Sequence, residues 1–205
     1  MARGKLITIE GLDGAGKTTL ATGLLEALRK RAIEAQLLRE PGGVKAAEDI
    51  RALVKDPAAH ISSRAEALLY AAARAQLVEE ALEPLLERGT WVLLDRFVDS
   101  SLAYQGGGRG LGIEPVRAIN QFATGGLAPD LTLLVAVDPS VGRERSRGRG
   151  ALDRLELEPD VFFDRVARAY DELATAEPQR IITIDGDRPP PAVLAEAVAA
   201  LDRLV

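Results

Sequence analysis

The stretch that most constrains this chain is GLDGAGKT at residues 11–18, which matches the phosphate-binding pattern G-x-x-x-x-G-K-[ST] at every defined position. The apolar run LITI at residues 6–9 precedes it and predicts a buried strand, and residues 19–31 predict a helix. Glycines let the backbone N–H groups of such a loop point inward, so that with the helix N-terminus they form a cradle for a polyanion. The strand and helix on either side favour this interpretation over a glycine-rich turn that merely starts a helix.

Two side chains of the loop are expected to act on the bound phosphates. Lys17, which we expect to be exposed, supplies a positive charge at the β- and γ-phosphates, and the hydroxyl of Thr18 is placed to ligate Mg²⁺. The residues predicted to contact the nucleotide are those of the loop and the next position: Gly11, Leu12, Asp13, Gly14, Ala15, Gly16, Lys17, Thr18 and Thr19.

Length and composition exclude several classes of protein. A chain of 205 residues fits one domain, predicted to span residues 1–205, and the absence of cysteine excludes disulfides and thiolate metal sites. We find neither a signal-peptide pattern nor an apolar run that could span a bilayer, so we expect a cytoplasmic protein without a membrane partner. A net charge of −5 opposes a general nucleic-acid binder. Anionic ligands must therefore be met by locally gathered cations.

Apolar runs alternate with segments of helical periodicity along the whole chain. After the first strand, strands are predicted at residues 35–38, 91–94, 131–137 and 181–184, each separated from the next by at least one helix. This order predicts a three-layer α/β phosphate-loop fold, with a five-stranded parallel sheet flanked by helices. Such a fold does not by itself fix the reaction.

Charged residues follow two of these strands, at the edge where parallel sheets bind ligands. Asp95 ends an apolar strand and is predicted to hold Mg²⁺ opposite Thr18, although it could instead cap the next helix. Arg96 would then lie beside the transferred phosphate. Arg39, which precedes a Glu-Pro-Gly-Gly turn, is either a contact for an anion or an ordinary surface arginine.

A long helix is predicted from about residue 63 to residue 88. Its core-facing stripe is expected to contain residues spaced three or four apart: Leu68, Ala72, Ala75, Val78, Leu82 and Leu86. Tyr70 and Arg74 lie four residues apart on a flank of that stripe. They could stack on a planar base and bond its carbonyl group, or they could be a snorkelling pair at the core boundary.

Two further segments suggest moving parts. Residues 106–110, which follow a short predicted helix at 100–105, are expected to form a flexible glycine run. Arginines are concentrated at about residues 143–156, where glycines at 148 and 150 interrupt the helix; they are Arg143, Arg145, Arg147, Arg149 and Arg154. A solvated helix face would explain such a run, but we favour a short arginine-rich lid over the phosphates.

Several classes of protein share this fold and must be distinguished. A signalling GTPase needs an N-K-x-D segment, but the sole asparagine, Asn120, is followed by glutamine and phenylalanine, so the GTPase class is excluded. A phosphate-loop ATPase, or a nucleotide-binding module without a monophosphate acceptor, remains the alternative to a kinase. Such a protein would lack a second site large enough for a base.

Five segments together resemble the bacterial thymidylate kinases, from the first strand to the final helix. They are IEGLDGAGKTT, REPGG, LLDRF, SSLAYQGGGRG and RSRGRGALDRLE, of which REPGG and AYQGGGRG are much more specific than the phosphate loop. The resemblance implies transfer of the γ-phosphoryl group of ATP to dTMP, making dTDP for dTTP synthesis with Mg²⁺ bound. It also implies a homodimer formed through a helix face.

Phosphate-contacting residues can be assigned by matching positions of this chain to those of the family. The resemblance implies that Asp13 meets the deoxyribose 3′-hydroxyl or the metal, and that Arg39 and Arg96 hold the phosphate of dTMP. Eukaryotic-type members have an arginine where this chain has Gly14. The catalytic arginine is therefore expected in the lid, with the choice left open among Arg147, Arg149 and Arg154.

The same matching assigns the thymidine pocket. Tyr70, in a position usually filled by phenylalanine, would stack on thymine, and Arg74 would bond its O4. Ser101 and Gln105 would line the pocket, and Tyr104 would press against C2′ of the sugar.

Overall fold

The computed structural model describes residues 2–148 and 152–204. The strands in these ranges form one sheet in the order β2-β3-β1-β4-β5, and every neighbouring pair is parallel. The strands are β1 (Leu6–Glu10), β2 (Ala35–Arg39), β3 (Trp91–Asp95), β4 (Leu131–Ala136) and β5 (Ile181–Asp185). The predicted parallel sheet is confirmed, and β1 lies at its centre with the phosphate loop at its carboxyl end.

Helices connect the strands and cover both faces of the sheet. They are α1 (Lys17–Lys30), α2 (Lys45–Lys55), α3 (Ser63–Leu77), α4 (Glu83–Glu87), α5 (Val98–Ser101), α6 (Ile113–Thr124), α7 (Pro139–Arg147), α8 (Asp160–Ala176) and α9 (Pro190–Leu201). Two π-helical segments continue shorter helices: Val78–Leu82 joins α3 to α4, and Leu102–Gly108 extends α5. Among the described helices, none combines the length and apolarity that crossing a bilayer requires.

Alternate side chains of the strands point to two separate apolar layers. On one face, Ile7 and Leu133 pack with Leu24 of α1 and Ala197 of α9. On the other face, residues of α3, α4 and α8 pack against the sheet, with Leu94 of β3 fully buried among them. The central strands β1, β3 and β4 are covered on both sides and are mostly apolar, whereas the edge strands β2 and β5 are partly exposed. The three-layer arrangement is confirmed.

The predicted core stripe of the long helix is wrong in its first half. Leu68 is 57% exposed and Ala72 is also exposed, whereas Glu66 and Arg74 are buried. The stripe is correct in its second half: Val78, Leu82 and Leu86 are buried. A π-helical turn adds one residue to the helix, so a period of 3.6 carried back across Val78–Leu82 selects the wrong face.

The predicted flexible glycine run is also wrong. Residues 106–108 are helical, and Gly106 and Gly108 are buried. A Cβ at Gly107 would lie 2.6 Å from the Cβ of Ala169, and a Cβ at Gly108 would lie 2.6 Å from Cε2 of Phe162. These glycines therefore allow α8 to pack closely against the segment.

Candidate active site

One cavity of about 210 Å³ opens beyond the carboxyl ends of β1, β2 and β3. Its walls include most of the side chains that the sequence predicted for nucleotide, substrate and metal binding. They are Asp13, Lys17, Thr18, Thr19, Arg39, Tyr70, Arg74, Asp95, Arg96, Ser101, Tyr104 and Gln105, together with Gly14 and Gly16. Residues separated by almost 100 positions in sequence thus border the same space.

The loop at residues 11–18 connects β1 to α1 through backbone conformations that require glycine. Gly14 and Gly16 have φ values of 82° and 96°, and Gly16 is the N-cap of α1. A Cβ at Gly11 would lie 2.3 Å from the carbonyl oxygen of Val135, and one at Gly14 would lie 2.0 Å from that of Gly142. The loop therefore turns its main chain toward the cavity in a way that other residues would block.

Lys17 is buried, which corrects the expectation of an exposed lysine. Its side chain bends back, and Nζ donates hydrogen bonds to the carbonyl oxygens of Gly11 at 3.1 Å and Leu12 at 2.8 Å. Burial and the positive charge of Arg96 lower the pKa of Lys17 to about 8, although Asp13 opposes the shift. The ammonium group is held at the loop, where a phosphate would supply the opposite charge that its surroundings only partly provide.

Arg96 joins the loop to β3, and its guanidinium makes four hydrogen bonds, the longest of them to the Tyr104 hydroxyl at 3.4 Å. Its backbone has a φ of 72°, and its guanidinium donates to Asp13 Oδ1 at 2.7 Å, to the Gly11 carbonyl at 3.0 Å and to Ser100 Oγ at 3.1 Å. Burial alone would raise the pKa of Asp13, but the charges of Arg96 and Lys17 outweigh it and hold that pKa below its usual range. A charged carboxylate and a charged guanidinium therefore face the cavity together.

Tyr104 completes this cluster. Its hydroxyl donates to Asp13 Oδ2 at 3.2 Å, and the guanidinium carbon of Arg96 lies 5.1 Å from the centre of its ring. Edge-to-face contacts with Phe162 and Tyr170 hold the ring from the far side. Burial raises the pKa of Tyr104, so its hydroxyl keeps its proton at neutral pH.

Asp95 and Thr18 both border the cavity, as a metal site formed by β3 and the loop requires. Oδ1 of Asp95 is buried and has no hydrogen-bond partner within the described ranges. The alternative capping role is wrong, because α5 begins at Val98 and its N-cap, Phe97, makes no side-chain cap bond. An unpartnered carboxylate oxygen fits a hard cation such as Mg²⁺.

The described residues contain no cluster of three or more histidine, cysteine or acidic side chains that could hold a metal alone. Mg²⁺ usually keeps several waters and takes only one or two carboxylates plus substrate phosphates. The pair Thr18 and Asp95 therefore fits a metal that arrives with a nucleotide better than a resident metal.

Arg74 is only 1% exposed, so the snorkelling alternative is wrong. Its Nε donates to Glu40 Oε2 at 2.8 Å, and Nη2 donates to the Phe97 carbonyl at 2.9 Å. Nη1 donates to Ser101 Oγ at 2.9 Å and also to Asn120 Oδ1. A base carbonyl would have to share donors that the wall of the cavity already uses.

Tyr70 and Arg39 lie closer to solvent. Tyr70 is half-buried at the cavity wall, and burial raises the pKa of its hydroxyl. The side chain of Arg39 is 58% exposed, and its Nη2 lies 3.3 Å from Oε1 of Glu48. Exposed pairs of this kind contribute little, about 0–1 kcal/mol, so Arg39 can turn toward an anion at low cost.

Parts of the predicted lid lie outside the described residues. Arg149 is one of them, and the side chain of Arg147 is not described either, although α7 ends at that residue. Arg154 does not line the cavity: its Nη1 lies 2.7 Å from Glu66 Oε2, and its Nε donates to the Val54 carbonyl at 2.9 Å. In this structure Arg154 therefore ties the last part of the predicted lid to α2 and α3.

Two buried acids were missed by the sequence reasoning. Glu66, fully buried on α3, accepts hydrogen bonds from Gln105 and Arg109. Glu10, the last residue of β1, accepts from the backbone N–H of Phe97 at 2.7 Å and from Ser100 Oγ at 2.6 Å. The available signal was an acid inside an otherwise apolar strand or helix, which needs a partner when buried.

The environment of Glu10 also changes its protonation. Burial, and secondarily the charge of Asp99, raises the pKa of Glu10 to about 7. Hydrogen bonds from Ser100 and Tyr170 act against this shift. Glu10 directly precedes the loop, and its charge interacts with those of Arg96 and Lys17.

The chain matches the family model described as thymidylate kinase over residues 9–197. It is 48% identical to the thymidylate kinase of Deinococcus radiodurans over 201 residues, which covers 98% of each chain. It is 48% identical over 202 residues to that of Lactobacillus delbrueckii subsp. bulgaricus, covering 96% of this chain and 94% of the relative. With that of Nitrosomonas europaea it shares 42% identity over 205 residues, covering 100% of this chain and 94% of the relative. The chain belongs to the thymidylate kinase family.

Proposed function

We propose that this protein transfers the γ-phosphoryl group of ATP to dTMP, forming dTDP and ADP. The observation that carries this proposal is a single cavity that joins a phosphate loop to a wall of aromatic and polar side chains. A phosphate-loop ATPase or a nucleotide-binding module needs only the first part. Tyr70, Ser101 and Gln105, which also line the cavity, provide the aromatic and polar groups that a nucleoside needs.

The loop and its lysine hold the phosphates of the donor. Inward-facing backbone at Gly14 and Gly16, with the N-terminus of α1, provides partial positive charge, and Lys17 adds a full charge. Mg²⁺ held by Thr18 and Asp95 would neutralise charge on the donor phosphates during transfer. Phosphoryl transfer leaves little covalent chemistry for the protein, so these groups act by alignment and charge stabilisation.

The acceptor phosphate meets Arg96 and Arg39. Asp13 and Tyr104 keep the guanidinium of Arg96 in one orientation, which prepares it for an anion without further ordering. Arg39, at the end of β2, also lines the cavity and is proposed to contact the same phosphate. Two arginines and the loop lysine then place the reacting oxygens in line and spread the negative charge that develops.

The lid is assigned to residues 143–156, and its arginines are proposed to act on the charge that develops during transfer. Substituting Arg147, Arg149 or Arg154 with alanine should then lower kcat more than it weakens dTMP binding. Steady-state kinetics and dTMP titrations on the three variants measure both. An unchanged kcat in all three variants would mean that these arginines serve solubility and not catalysis.

A second copy of the chain is proposed to cover the outer face of α3 and α6. These helices are in contact, and they expose two large apolar side chains, Leu68 at 57% and Phe122 at 91%. An exposed apolar pair on adjacent helices fits the homodimer that the family resemblance implies. Sedimentation of the wild type and of Phe122→Asp tests it, since a wild-type monomer would contradict it.

The cytoplasm is the proposed location of the protein. The cellular distribution of a tagged form of the protein tests this location.

A coupled kinase assay with ATP and each nucleoside monophosphate tests the proposed reaction. We expect dTMP to give the highest kcat/KM. Turnover only with UMP, CMP or AMP would overturn the proposed function.

A further inference from the structure

Glu66 lies in the first turn of α3, and none of its surface is exposed. Its Oε1 accepts from Gln105 Nε2 at 2.9 Å and from Arg109 Nε at 3.1 Å. Its Oε2 accepts from Arg109 Nη2 at 2.9 Å and lies 2.7 Å from Arg154 Nη1. Two arginines and one amide therefore converge on a single buried carboxylate.

This carboxylate stays ionised at neutral pH. Burial would raise the pKa of Glu66, but the hydrogen bonds from Arg109 and Gln105 outweigh it, so the pKa is lowered. An ionised carboxylate can accept hydrogen bonds but cannot donate one. Whichever group of the Gln105 amide faces Glu66 must therefore be its NH₂ group.

The amide of Gln105 is thereby fixed in one of its two orientations. Its Nε2 is committed to Glu66, and within the described parts of the chain no donor bonds to its Oε1. Gln105 is 2% exposed and borders the cavity, so Oε1 is the polar atom that its side chain has left for a bound molecule. The cavity therefore has a fixed acceptor at this position.

Ser101, four positions earlier, also lines the cavity. Its Oγ accepts from Arg74 Nη1 at 2.9 Å, which leaves the hydroxyl proton available to donate. The lining of the cavity thus includes an acceptor at Gln105 and a donor at Ser101. Thymine matches them, because its ring N3–H donates and its O4 accepts. Cytosine has a ring nitrogen that accepts and an exocyclic amino group that donates, so it presents the reverse pattern.

We propose that Glu66 is a positioning residue that sets the choice of pyrimidine by fixing the amide oxygen of Gln105 toward the base. The inference rests on the proposed function, because it takes a pyrimidine nucleotide as the acceptor. Glu66 acts through Gln105 and touches no substrate. A site built to pair one set of hydrogen-bonding groups rejects the reversed set, because buried groups then stay unpaired.

The test compares kcat/KM for dTMP and dCMP in the wild type and in Glu66→Gln. A glutamine at 66 can donate as well as accept, so the Gln105 amide can turn over and offer its NH₂ group to cytosine. We expect the dTMP to dCMP ratio to fall about tenfold or more, which is a change of about 1.4 kcal/mol. Glu66→Asp, which keeps an ionised acceptor, should retain the wild-type ratio even where kcat falls.

A double-mutant cycle with Gln105→Ala separates positioning from general damage. Gln105→Ala alone should lower the ratio, and adding Glu66→Gln to it should change the ratio no further. If Glu66→Gln does not fold, as judged by thermal unfolding, the ratio in Gln105→Ala decides. A wild-type ratio in Gln105→Ala, or in a folded Glu66→Gln variant, overturns the inference, as does a further change in the double variant. A wild type that does not turn over dTMP contradicts the proposed function instead, and dTMP and dCMP affinities measured by calorimetry then test the orientation of Gln105.

Discussion

The two sides of the cavity are built in different ways. The donor side is mainly main chain: one contiguous loop at residues 11–18 turns its backbone inward at glycines with positive φ. The acceptor wall is mainly side chains, which come from β2, α3, α5 and the π-helical segment Leu102–Gly108. The donor side can be recognised from a short contiguous motif, whereas the acceptor wall depends on how distant segments pack.

The charges also differ between the two sides. On the wall each buried charge has a partner inside the protein, as in Arg74 with Glu40 and Glu66 with Arg109. In the loop, Lys17 is held by carbonyl oxygens, which neutralise no charge. Substitutions on the wall should therefore cost stability first, and substitutions in the loop should cost turnover first.

Arg74→Met is the change expected to destabilise the fold most. It leaves the buried carboxylate of Glu40 without its cation, and such a loss costs about 3–5 kcal/mol. Urea unfolding measures it, with Arg39→Met as the control, because the exposed pair with Glu48 contributes about 0–1 kcal/mol. Equal losses of unfolding free energy in the two variants would contradict the difference between the buried pair at Arg74 and the exposed pair at Arg39.

Lys17→Ala is expected to lower kcat by about 10²–10³-fold, the range seen when one preorganised group for developing charge is removed. Its unfolding free energy should change by only about 1 kcal/mol, because the variant loses two hydrogen bonds but also a desolvated charge. Steady-state kinetics and urea unfolding check both values. Lys45→Ala, at an exposed pair with Asp49, is the control. A large loss of stability with normal turnover in Lys17→Ala would contradict the expectation that loop substitutions mainly reduce turnover.

Glu10 is fully buried at the end of β1, and its protonation should make stability depend on pH. Burial raises the pKa of Glu10 from 4.5 to about 7, so between these values the folded chain binds more protons than the unfolded chain. The stabilisation is complete below about pH 4.5 and is lost as the pH rises to about 7, by on the order of 3 kcal/mol.

Urea unfolding of the wild type and of Glu10→Gln at pH 4.5, 6 and 8 measures that loss. The difference between the two proteins should change with pH in this window, because the glutamine does not titrate. Glu114→Gln, at an exposed carboxylate, should leave the profile unchanged. A constant difference between wild type and Glu10→Gln would contradict the raised pKa.

The smallest effect is expected at the sugar. Tyr104 is 4% exposed and is held by Asp13 and Phe162, so a ribose hydroxyl pressed against its ring would lose water without gaining a partner. Tyr104→Ala should narrow the kcat/KM ratio between dTMP and its ribo analogue about tenfold. Tyr104→Phe keeps the ring and should keep the ratio. An unchanged ratio in the alanine variant would remove Tyr104 from sugar selection.

The sequence alone allowed the sheet and the phosphate loop to be predicted, because their signals are local, whereas the acceptor-side residues were assigned through the family resemblance. Strands buried on both faces are mostly apolar, and the loop glycines occupy fixed positions relative to Lys17 and Thr18. The partners of buried charges were not predictable in this way. Glu40 and Arg74 are 34 positions apart, and Glu66 meets Gln105 across 39.

The errors have specific physical causes. The π-helical turn at Val78–Leu82 shifted the buried face of α3. The periodicity of apolar residues does not reveal the one extra residue that such a turn adds to a helix. The glycine run at residues 106–110 predicts flexibility, but at Gly107 and Gly108 the lack of a side chain instead lets α8 pack closely. Lys17, as a loop lysine, is expected to be exposed, but its Nζ bends back to two loop carbonyl groups.

The central claim is that one cavity passes a phosphoryl group from a donor at the loop to an acceptor at the wall. Phosphorus NMR of the wild type with ATP, Mg²⁺ and dTMP follows both nucleotides and free phosphate in one sample. The account predicts that ADP and dTDP appear together in equal amounts, with inorganic phosphate remaining negligible. ADP and inorganic phosphate formed in equal amounts, without dTDP, would contradict it and identify the protein as an ATPase.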